Sequence, residues 1–511
     1  MDPVEKNLPS PQPTGEVSSV AFGWFPATTL APLGLLLGRI GQILIQAVTF
    51  RVLTTLLSSL EVGRYYLFTA VQAWFSLFFL AAPALYLYRK FLDWKQEGTH
   101  ARSLVASFLF LFFLSLACLP AAWLAVRWGW ISSPAPALTI LLIAGWLFMV
   151  TLAAQAASLL NLLRRHLAYV LLSAGASLLA LLLAFNTVKL ISPSAEAWLG
   201  GYIVAYGLAG VVGVVLLVRA AGIGSEAGFA GVRSPASFPR AEWKQAWDFI
   251  WPITFIMAFY WAQSQGYRFA LSAALGESQV GLFVIAYSMG ATVILVGESV
   301  MHQWVLPRFY ARIAGATAEE SEELWQHYVA HLLYLLLPLA AFAIFAGPFL
   351  LKLLAGPEFQ QAAPYALWGG LAETVRMVAV MFFLGGVARL KTREMVLPNL
   401  PGAIIAVGGA YVMGLAWNLH GVGLSLALSY ATVGVLLYFF VAPNLLSRVG
   451  WPGIPALLGT IAIAATLLTA WALGWRENLL LSVVALGVAS LWLVAAVLLQ
   501  VRGLLELMEG K

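Results

Sequence analysis

Charge is what this sequence has least of. Only 10% of its 511 residues are Asp, Glu, Lys or Arg, where a water-soluble domain carries roughly 25%. A chain of this length folded in water would have too few charges to cover its exterior, so a soluble globular fold is excluded. Cysteine is nearly absent as well: Cys118 stands alone inside an apolar run. One cysteine rules out a disulfide within the chain and argues against a Cys-based metal site. Its plain reading is a small apolar side chain packed in a helix. The six histidines are scattered without any His-Glu-x-x-His spacing, so no metal or other cofactor is expected. No Gly-x4-Gly-Lys-Ser/Thr loop occurs either, which removes a P-loop nucleotide site. No nucleic-acid partner is expected.

What the sequence does have is apolar length. Hydrophobic residues make up 61% of it, and the mean hydropathy is +0.88. A bilayer core about 30 Å thick takes about 20 apolar residues per helix. Runs of that kind fall at 30–56, 66–88, 103–126, 137–162, 167–187, 198–219, 248–271, 280–305, 328–350, 364–387, 396–417, 421–442, 453–473 and 478–500. The expected fold is an all-α polytopic membrane protein of about 14 transmembrane helices.

The charges that remain support this count. With a cytoplasmic N-terminus, the even-to-odd connections should collect Lys and Arg. They hold Arg89, Lys90, Lys95 and Arg102, then Arg164 and Arg165, then Arg219, Arg233, Arg240 and Lys244. Further on come Arg308 and Arg312, then Arg389, Lys391 and Arg393, then Arg448. With Lys6, Arg502 and Lys511, nineteen of the 28 basic residues fall on one side. A miscount by one helix would destroy that alternation. Both termini are therefore expected in the cytoplasm, in a bacterial plasma membrane. Residues 1–24 are polar, lack the features of a secretory signal, and read as a disordered cytoplasmic tail.

The longest inner connection, 221–247, divides the spans. Arg51 is followed by Val62-Gly63-Arg64-Tyr65 and a helix ending in Tyr88-Arg89-Lys90-Phe91. About 218 residues later, Arg268 is followed by Val280-Gly281-Leu282-Phe283 and a helix ending in Pro307-Arg308-Phe309-Tyr310. These landmarks imply a duplication of six spans in the same orientation, a common transporter plan. The expected organisation is an N-terminal lobe at 25–220, a cytoplasmic linker at 221–247 and a C-terminal lobe at 248–444. Two further spans and a short cytoplasmic tail occupy 445–511. The lobes should be two pseudo-symmetric six-helix bundles.

The same landmarks resemble the multidrug/oligosaccharidyl-lipid/polysaccharide (MOP) exporter superfamily, in particular its polysaccharide transporters (the Wzx-like O-antigen flippases). They are Glu61-Val62-Gly63-Arg64-Tyr65-Tyr66, Phe249-Ile250-Trp251-Pro252 and Val280-Gly281-Leu282-Phe283-Val284-Ile285-Ala286-Tyr287. The resemblance implies two lobes around a cavity that opens alternately to each side. It also implies a polyprenyl-pyrophosphate-linked oligosaccharide as substrate, with membrane lipids and polymerase or glycosyltransferase enzymes as partners. Many members carry Asp-Arg where this chain has Tyr267-Arg268, so no role for that acid carries over.

Ionisable residues inside spans are costly and normally face a cavity or a partner. On the first helix Arg39, Gln42 and Gln46 are spaced three and four apart and share one face. Arg51 follows about 18 Å along the axis at 1.5 Å per residue. A polar stripe with a cation near each end suits an anionic, hydroxyl-rich headgroup, and arginine offers a planar fork of donors for phosphate. Anchoring at the two headgroup layers is the competing reading. Arg268, with Gln263, is the corresponding candidate in the second half and should face Arg51 across the axis. Glu373 and Arg376 can pair at i, i+3, and Glu298 and His302 lie at i, i+4; each pair is either polar packing or an ion-coupling site. Trp74, Trp261 and Tyr260 either stack on sugar rings or pack in the core.

Two other functions compete. A drug or metabolite exporter of the same superfamily should carry cavity carboxylates in its first half, yet the first six spans have arginines and no central acid. An integral-membrane glycosyltransferase or ligase needs a substantial outer loop, whereas the outer connections are short and hold mainly single acids: Glu61, Glu196, Glu277, Glu358 and Glu477. No enzymatic activity is expected.

Overall fold

The computed structural model describes residues 27–222, 240–301, 309, 317–388, 392–441 and 453–509. Among them there is no strand. The first lobe comprises α1 (Ala27–Leu56), α2 (Ser59–Gln96), α3 (His100–Arg127), α4 (Pro136–Leu162), α5 (His166–Leu190) and α6 (Ala195–Ala221). The second comprises α7 (240–275), α8 (Glu277–Val300), α9 (Ala318–Leu354) and α10, which opens as a 3-10 turn at Pro357–Tyr365 and continues through Ala366–Ala388. One unbroken run of helix, Val396–Val441, is two helices joined at a kink where Trp417 and Asn418 leave helical geometry. We number its halves α11 (396–416) and α12 (419–441). Two last helices, α13 (Ile454–Ala472) and α14 (Leu479–Glu509), follow among the described residues.

Eleven of these helical runs are long and apolar enough to cross a membrane. One of the eleven is the kinked pair α11–α12, and the shorter apolar stretch Ile40–Leu56 lies in α1. The remaining one, α7, falls short because it carries polar residues along its length.

Local chemistry places the breaks. Ser58 caps α2 by accepting the amide of Glu61, and Ser194 caps α6 by accepting that of Ala197. Both follow the preference of helix N-termini for a side-chain oxygen. Thr317 and Glu320 form a reciprocal capping box at the start of α9. Gly276, at φ +93°, turns α7 into α8 with a single residue, in a conformation that L side chains rarely adopt. Asn418 sits at φ +57° and ψ −146° in the α11–α12 kink, a strained conformation for a residue with a side chain. The α7 helix loosens into a π-turn at Ala262–Gly266, as α2 does at Phe75–Leu80.

In the first lobe α6 packs on α4 and α5, and α1 lies against α5; in the second α10 packs on α8, α9 and the α11–α12 pair, and α7 lies against that pair. The helices α13 and α14 pack on each other and on α9. Between the lobes, α2 crosses α8 at two glycines. A Cβ on Gly63 would stand 1.9 Å from the carbonyl oxygen of Glu277, and one on Gly281 would stand 2.1 Å from that of Ser59. The approach is reciprocal: each glycine faces the residue four positions before the other. The paired Val-Gly landmarks are thus the surfaces on which the two lobes cross. A core cluster that includes Val62, Val280, Phe283, Trp198 and Phe359 surrounds this crossing.

Because the obstacle at each glycine is backbone, it cannot rotate away. Gly63→Val should destabilise the protein by more than the roughly 1–3 kcal/mol of ordinary overpacking. Thermal unfolding followed by size-exclusion in detergent should show a clear drop in midpoint, while Gly175→Ala, with open space around it, should leave the midpoint near that of the native chain.

Candidate functional site: the cleft between the lobes

A cavity of about 400 Å³ lies where α1, α5, α6 and α8 come together. From α1 come Gln42, Ile43, Ile45, Gln46 and Thr49; from α5, Ser177; from α6, Tyr202 and Tyr206; from α8, Thr292, Leu295 and Val296. All of these positions lie within the helices, and the cavity draws on both lobes. Among the described residues its lining holds amides, hydroxyls and tyrosines but no Asp, Glu, Lys or Arg. The two tyrosine rings are set by Trp146, at centroid distances of 5.4 and 5.5 Å.

The end of the molecule that carries the α1–α2 and α7–α8 turns is sealed by polar contacts. Arg64 of α2 pairs with Glu61 at 2.6 Å and reaches across to Glu277 of α8 at 3.1 Å. Glu277 also accepts from the backbone amide of Ser132 at 2.8 Å, and Glu61 from that of Ala195 at 2.8 Å. The hydroxyls of Ser59 and Ser278 lie 2.6 Å apart, and the amide of Ser59 donates to Glu358 at 2.9 Å. Each lobe also sends one arginine to a backbone carbonyl of the other. Arg51 donates to the carbonyl of Ala355, beside which the amide of Gly356 donates to Thr54 at 2.8 Å. Arg268 donates to the carbonyl of Tyr66 at 3.2 Å, its guanidinium 5.2 Å from that ring's centre.

The lobes meet differently along α2 and α7. Trp261 donates its indole N–H to the carbonyl of Ala70 at 2.9 Å and meets Trp74 edge-on at 4.9 Å. Phe78 meets Phe255, Tyr86 meets Phe249, and Arg89 lies over the Phe249 ring. This aromatic seam extends from mid-helix towards the end opposite the seal. The α1–α8 side, by contrast, holds the cavity.

Inside the second lobe, Arg376 of α10 is held by two carboxylates. It pairs with Glu373 on its own helix and with both oxygens of Glu298 on α8. Glu373 in turn accepts from the hydroxyl of Tyr287 at 2.8 Å. Glu373 and Arg376 are buried and Glu298 is partly buried, so the cluster places two acids around one base inside the lobe.

The sequence candidates therefore separate. Gln42 and Gln46 line the cavity. Arg39 lies on α1 one turn before Gln42, but its side chain is outside the described residues. Arg51 and Arg268 belong to the seal, each with its own carbonyl partner. Gln263 is buried in the α7 π-turn, where its amide donates to the carbonyls of Phe259 and Asn399 and accepts from Ser429. It fastens α7 to α11 and α12 and is absent from the cavity lining. Glu298, Glu373 and Arg376, taken from the sequence as separate pairs, form one cluster; His302 lies outside the described residues. Trp74 and Trp261 are in the seam. Sequence reasoning missed Tyr202, Tyr206 and the sealing acids Glu61 and Glu277. The signal for the tyrosines was their i, i+4 spacing on α6, between the charges Glu196 and Arg219 at its two ends.

These features define a class: a two-lobed, polytopic helical membrane protein with a polar cleft between its lobes. No protein-family model and no curated protein matches the sequence. Solved structures do. A structure of "Lipid II flippase MurJ, inward closed conformation" superposes with a TM-score of 0.63 at 11% identity, covering 93% of this chain and 99% of that one. An inward-facing multidrug resistance MATE family transporter of the MOP superfamily superposes with a TM-score of 0.56 at 12% identity, covering 83% of this chain and 96% of the other. The chain shares its fold with these two structures.

Breaking a buried ion pair by removing one partner costs about 3–5 kcal/mol, because the other charge is left uncompensated. Arg376→Met strands two carboxylates at once and should lower the unfolding midpoint far more than Glu298→Gln, which leaves the Arg376–Glu373 pair intact. Melting curves of the two variants in the same detergent check the order.

Proposed function

We propose that the protein is a flippase. It carries a polyprenyl-pyrophosphate-linked oligosaccharide from the inner to the outer leaflet of a bacterial plasma membrane by alternating access, in polysaccharide biosynthesis and export. The observation that carries this reading is the polar cavity between two lobes whose one end is shut by polar contacts. Hydrogen bonds and partly exposed ion pairs contribute only about 0.5–1.5 kcal/mol each net, so such a seal can be exchanged for water and re-formed. The aromatic α2–α7 seam buries apolar surface and suits a hinge. In this reading both termini are cytoplasmic and the seal is at the outer face, which agrees with the distribution of Lys and Arg. The likeness to a lipid II flippase supports the substrate class.

Arginine carries the pyrophosphate in this reading. Arg39, one turn from Gln42 towards the cytoplasm, meets the headgroup on entry. Arg51 and Arg268 hold neutral carbonyls while the outer end is closed. A phosphate oxygen is a stronger acceptor, since hydrogen bonds between ionised groups are roughly twice as strong as neutral ones. A headgroup that reaches them competes for both guanidiniums and loosens the seal. Polymerase or glycosyltransferase enzymes on either side of this step are the proposed partners.

The second reading is an ion-coupled exporter of drugs or metabolites. The Glu298–Arg376–Glu373 cluster favours it, because its excess acid can take up a proton or a cation and respond to a gradient. The cavity lining speaks against it, since a cationic drug would find no carboxylate among its described residues. The cluster fits equally as the coupling site of a flippase.

Deleting the gene should leave finished pyrophosphate-linked units on the cytoplasmic leaflet, measured by mass spectrometry with a leaflet-specific label. The native chain should relieve this and Arg39→Ala or Arg268→Ala should not; an unchanged lipid pool would favour the exporter. The seal gives a second test. Ser59→Cys with Ser278→Cys should form a disulfide across the crossing, since the two hydroxyl oxygens are 2.6 Å apart and Cys118 is buried. Oxidation should stop transport and a reductant should restore it; transport that persists in the cross-linked protein would rule out opening at that end.

A further inference from the structure

We infer that His327 and His331, on the part of α9 that leaves the membrane, form a binding site for a divalent transition-metal ion of the kind that prefers imidazole, such as Zn2+. The helix runs from Ala318 to Leu354, 37 residues, or about 55 Å at 1.5 Å per residue. A bilayer core takes about 30 Å of that. The surplus lies at the start, where Glu319, Glu320, Glu322 and Glu323 come before the apolar stretch that begins at Leu332. The two histidines sit at that boundary, and the topology proposed above puts them on the cytoplasmic side. The face of this segment that packs is a different one. Trp325 and Tyr328 are buried. A Cβ on Gly385 of α10 would stand 2.4 Å from the Trp325 ring, and Tyr328 stacks on Phe309 at 4.7 Å. His327 is exposed and His331 partly so, and packing accounts for neither.

What singles the pair out is how the rings are bonded. His100 reaches the carbonyl of Ala221 at 3.1 Å, His166 the side chain of Asn161 at 2.8 Å, and His420 takes the indole N–H of Trp368 at 3.0 Å. Each of those bonds ties a ring to another helix. The bonds of His327 and His331 stay on their own helix: Nδ1 of His327 lies 2.9 Å from the carbonyl oxygen of Glu323, and Nδ1 of His331 lies 2.8 Å from that of His327. A carbonyl oxygen only accepts, so Nδ1 carries the proton in both neutral rings and the lone pair is left on Nε2. That is the tautomer of a metal ligand whose other N–H is held by a carbonyl. Residues four apart share a helical face, with Cβ atoms about 5–6 Å apart, the spacing at which the two histidines of His-Glu-x-x-His share one zinc ion. His327-Tyr328-Val329-Ala330-His331 lacks the glutamate of that signature, which supplies the general base there. Its absence excludes a catalytic zinc of that type and leaves a binding pair. Among the described residues no three His, Cys, Asp or Glu side chains gather to hold an ion, so water completes the shell. Two protein ligands with open positions make an exchangeable site, in contrast to a structural zinc closed by four ligands. The exposed Glu323, one turn before His327, adds a negative charge beside it.

The test uses the full-length protein in phosphatidylcholine nanodiscs, with any purification tag removed, and Zn2+ alone as the probe. Binding is read by titration calorimetry against empty nanodiscs, and stability by thermal unfolding. The native chain should take up one ion per chain and melt at a higher temperature with it, because an ion that binds the folded form stabilises it. His327→Gln and His331→Gln should each weaken binding by more than the roughly tenfold that losing even an outer-shell partner costs. Both should melt like the native chain when Zn2+ is absent, which shows that they are folded. His420→Gln should bind Zn2+ as the native chain does, and Mg2+, which prefers oxygen ligands, should produce neither effect. A native chain that takes up no Zn2+ would overturn the site. So would binding that survives when both histidines are replaced, or a single variant that binds as tightly as the native chain, since one surface imidazole would then suffice. None of these outcomes depends on what the protein transports.

Discussion

The bilayer leaves no water to satisfy a polar group, and the rest of this structure follows from that constraint. Backbone polarity is met by winding almost every described residue into helix. Side-chain polarity is met by joining elements. Arg376 ties α10 to α8 through two carboxylates, Gln263 ties α7 to α11 and α12, and Arg64 ties α2 to α8. A charge stranded in lipid would be expensive, so each interior charge works as a link between helices. Where such links lie decides which parts of the molecule can separate and which cannot.

Their distribution is uneven in an informative way. At the sealed end the lobes are joined by hydrogen bonds and ion pairs, with two glycines bringing the backbones into direct contact. Along α2 and α7 they are joined by aromatic rings. Polar links can be exchanged for water with little net change, while an aromatic seam exposes apolar surface if it parts. In the proposed cycle the aromatic edge suits a hinge and the sealed end a gate. The acid–base cluster lies inside the second lobe and ties α8 to α10, with Glu298 one turn beyond the cavity-lining Leu295.

The candidate site was only partly legible. Gln42 and Gln46 were visible because amides at helical spacing in an otherwise apolar helix have no anchoring role. Arg51 and Arg268 were visible as anomalies, but their geometry was not: the expectation that they face each other gives way to two separate carbonyls, on Ala355 and Tyr66. Glu61 and Glu277 looked like isolated loop acids, because the residues that complete their network, Ser132 and Ala195, are remote in sequence. Tyr202 and Tyr206 were hidden among many membrane aromatics.

What the sequence determined by itself was everything that depends on local composition. Apolar run length marked where most of the helices lie but not their ends, since α2 runs over Ser59–Gln96 where the apolar run was 66–88, and the alternation of Lys and Arg gave their expected orientation. These signals are one-dimensional, since a helix in lipid satisfies its own backbone and its length is set by bilayer thickness. Tertiary structure alone decided which polar residues meet. A lone arginine or glutamate in a span announces that it needs a partner and says nothing of where. The partner is chosen by which helix faces pack together, and that choice turned two predicted pairs into one cluster and the Val-Gly landmarks into the crossing of the lobes.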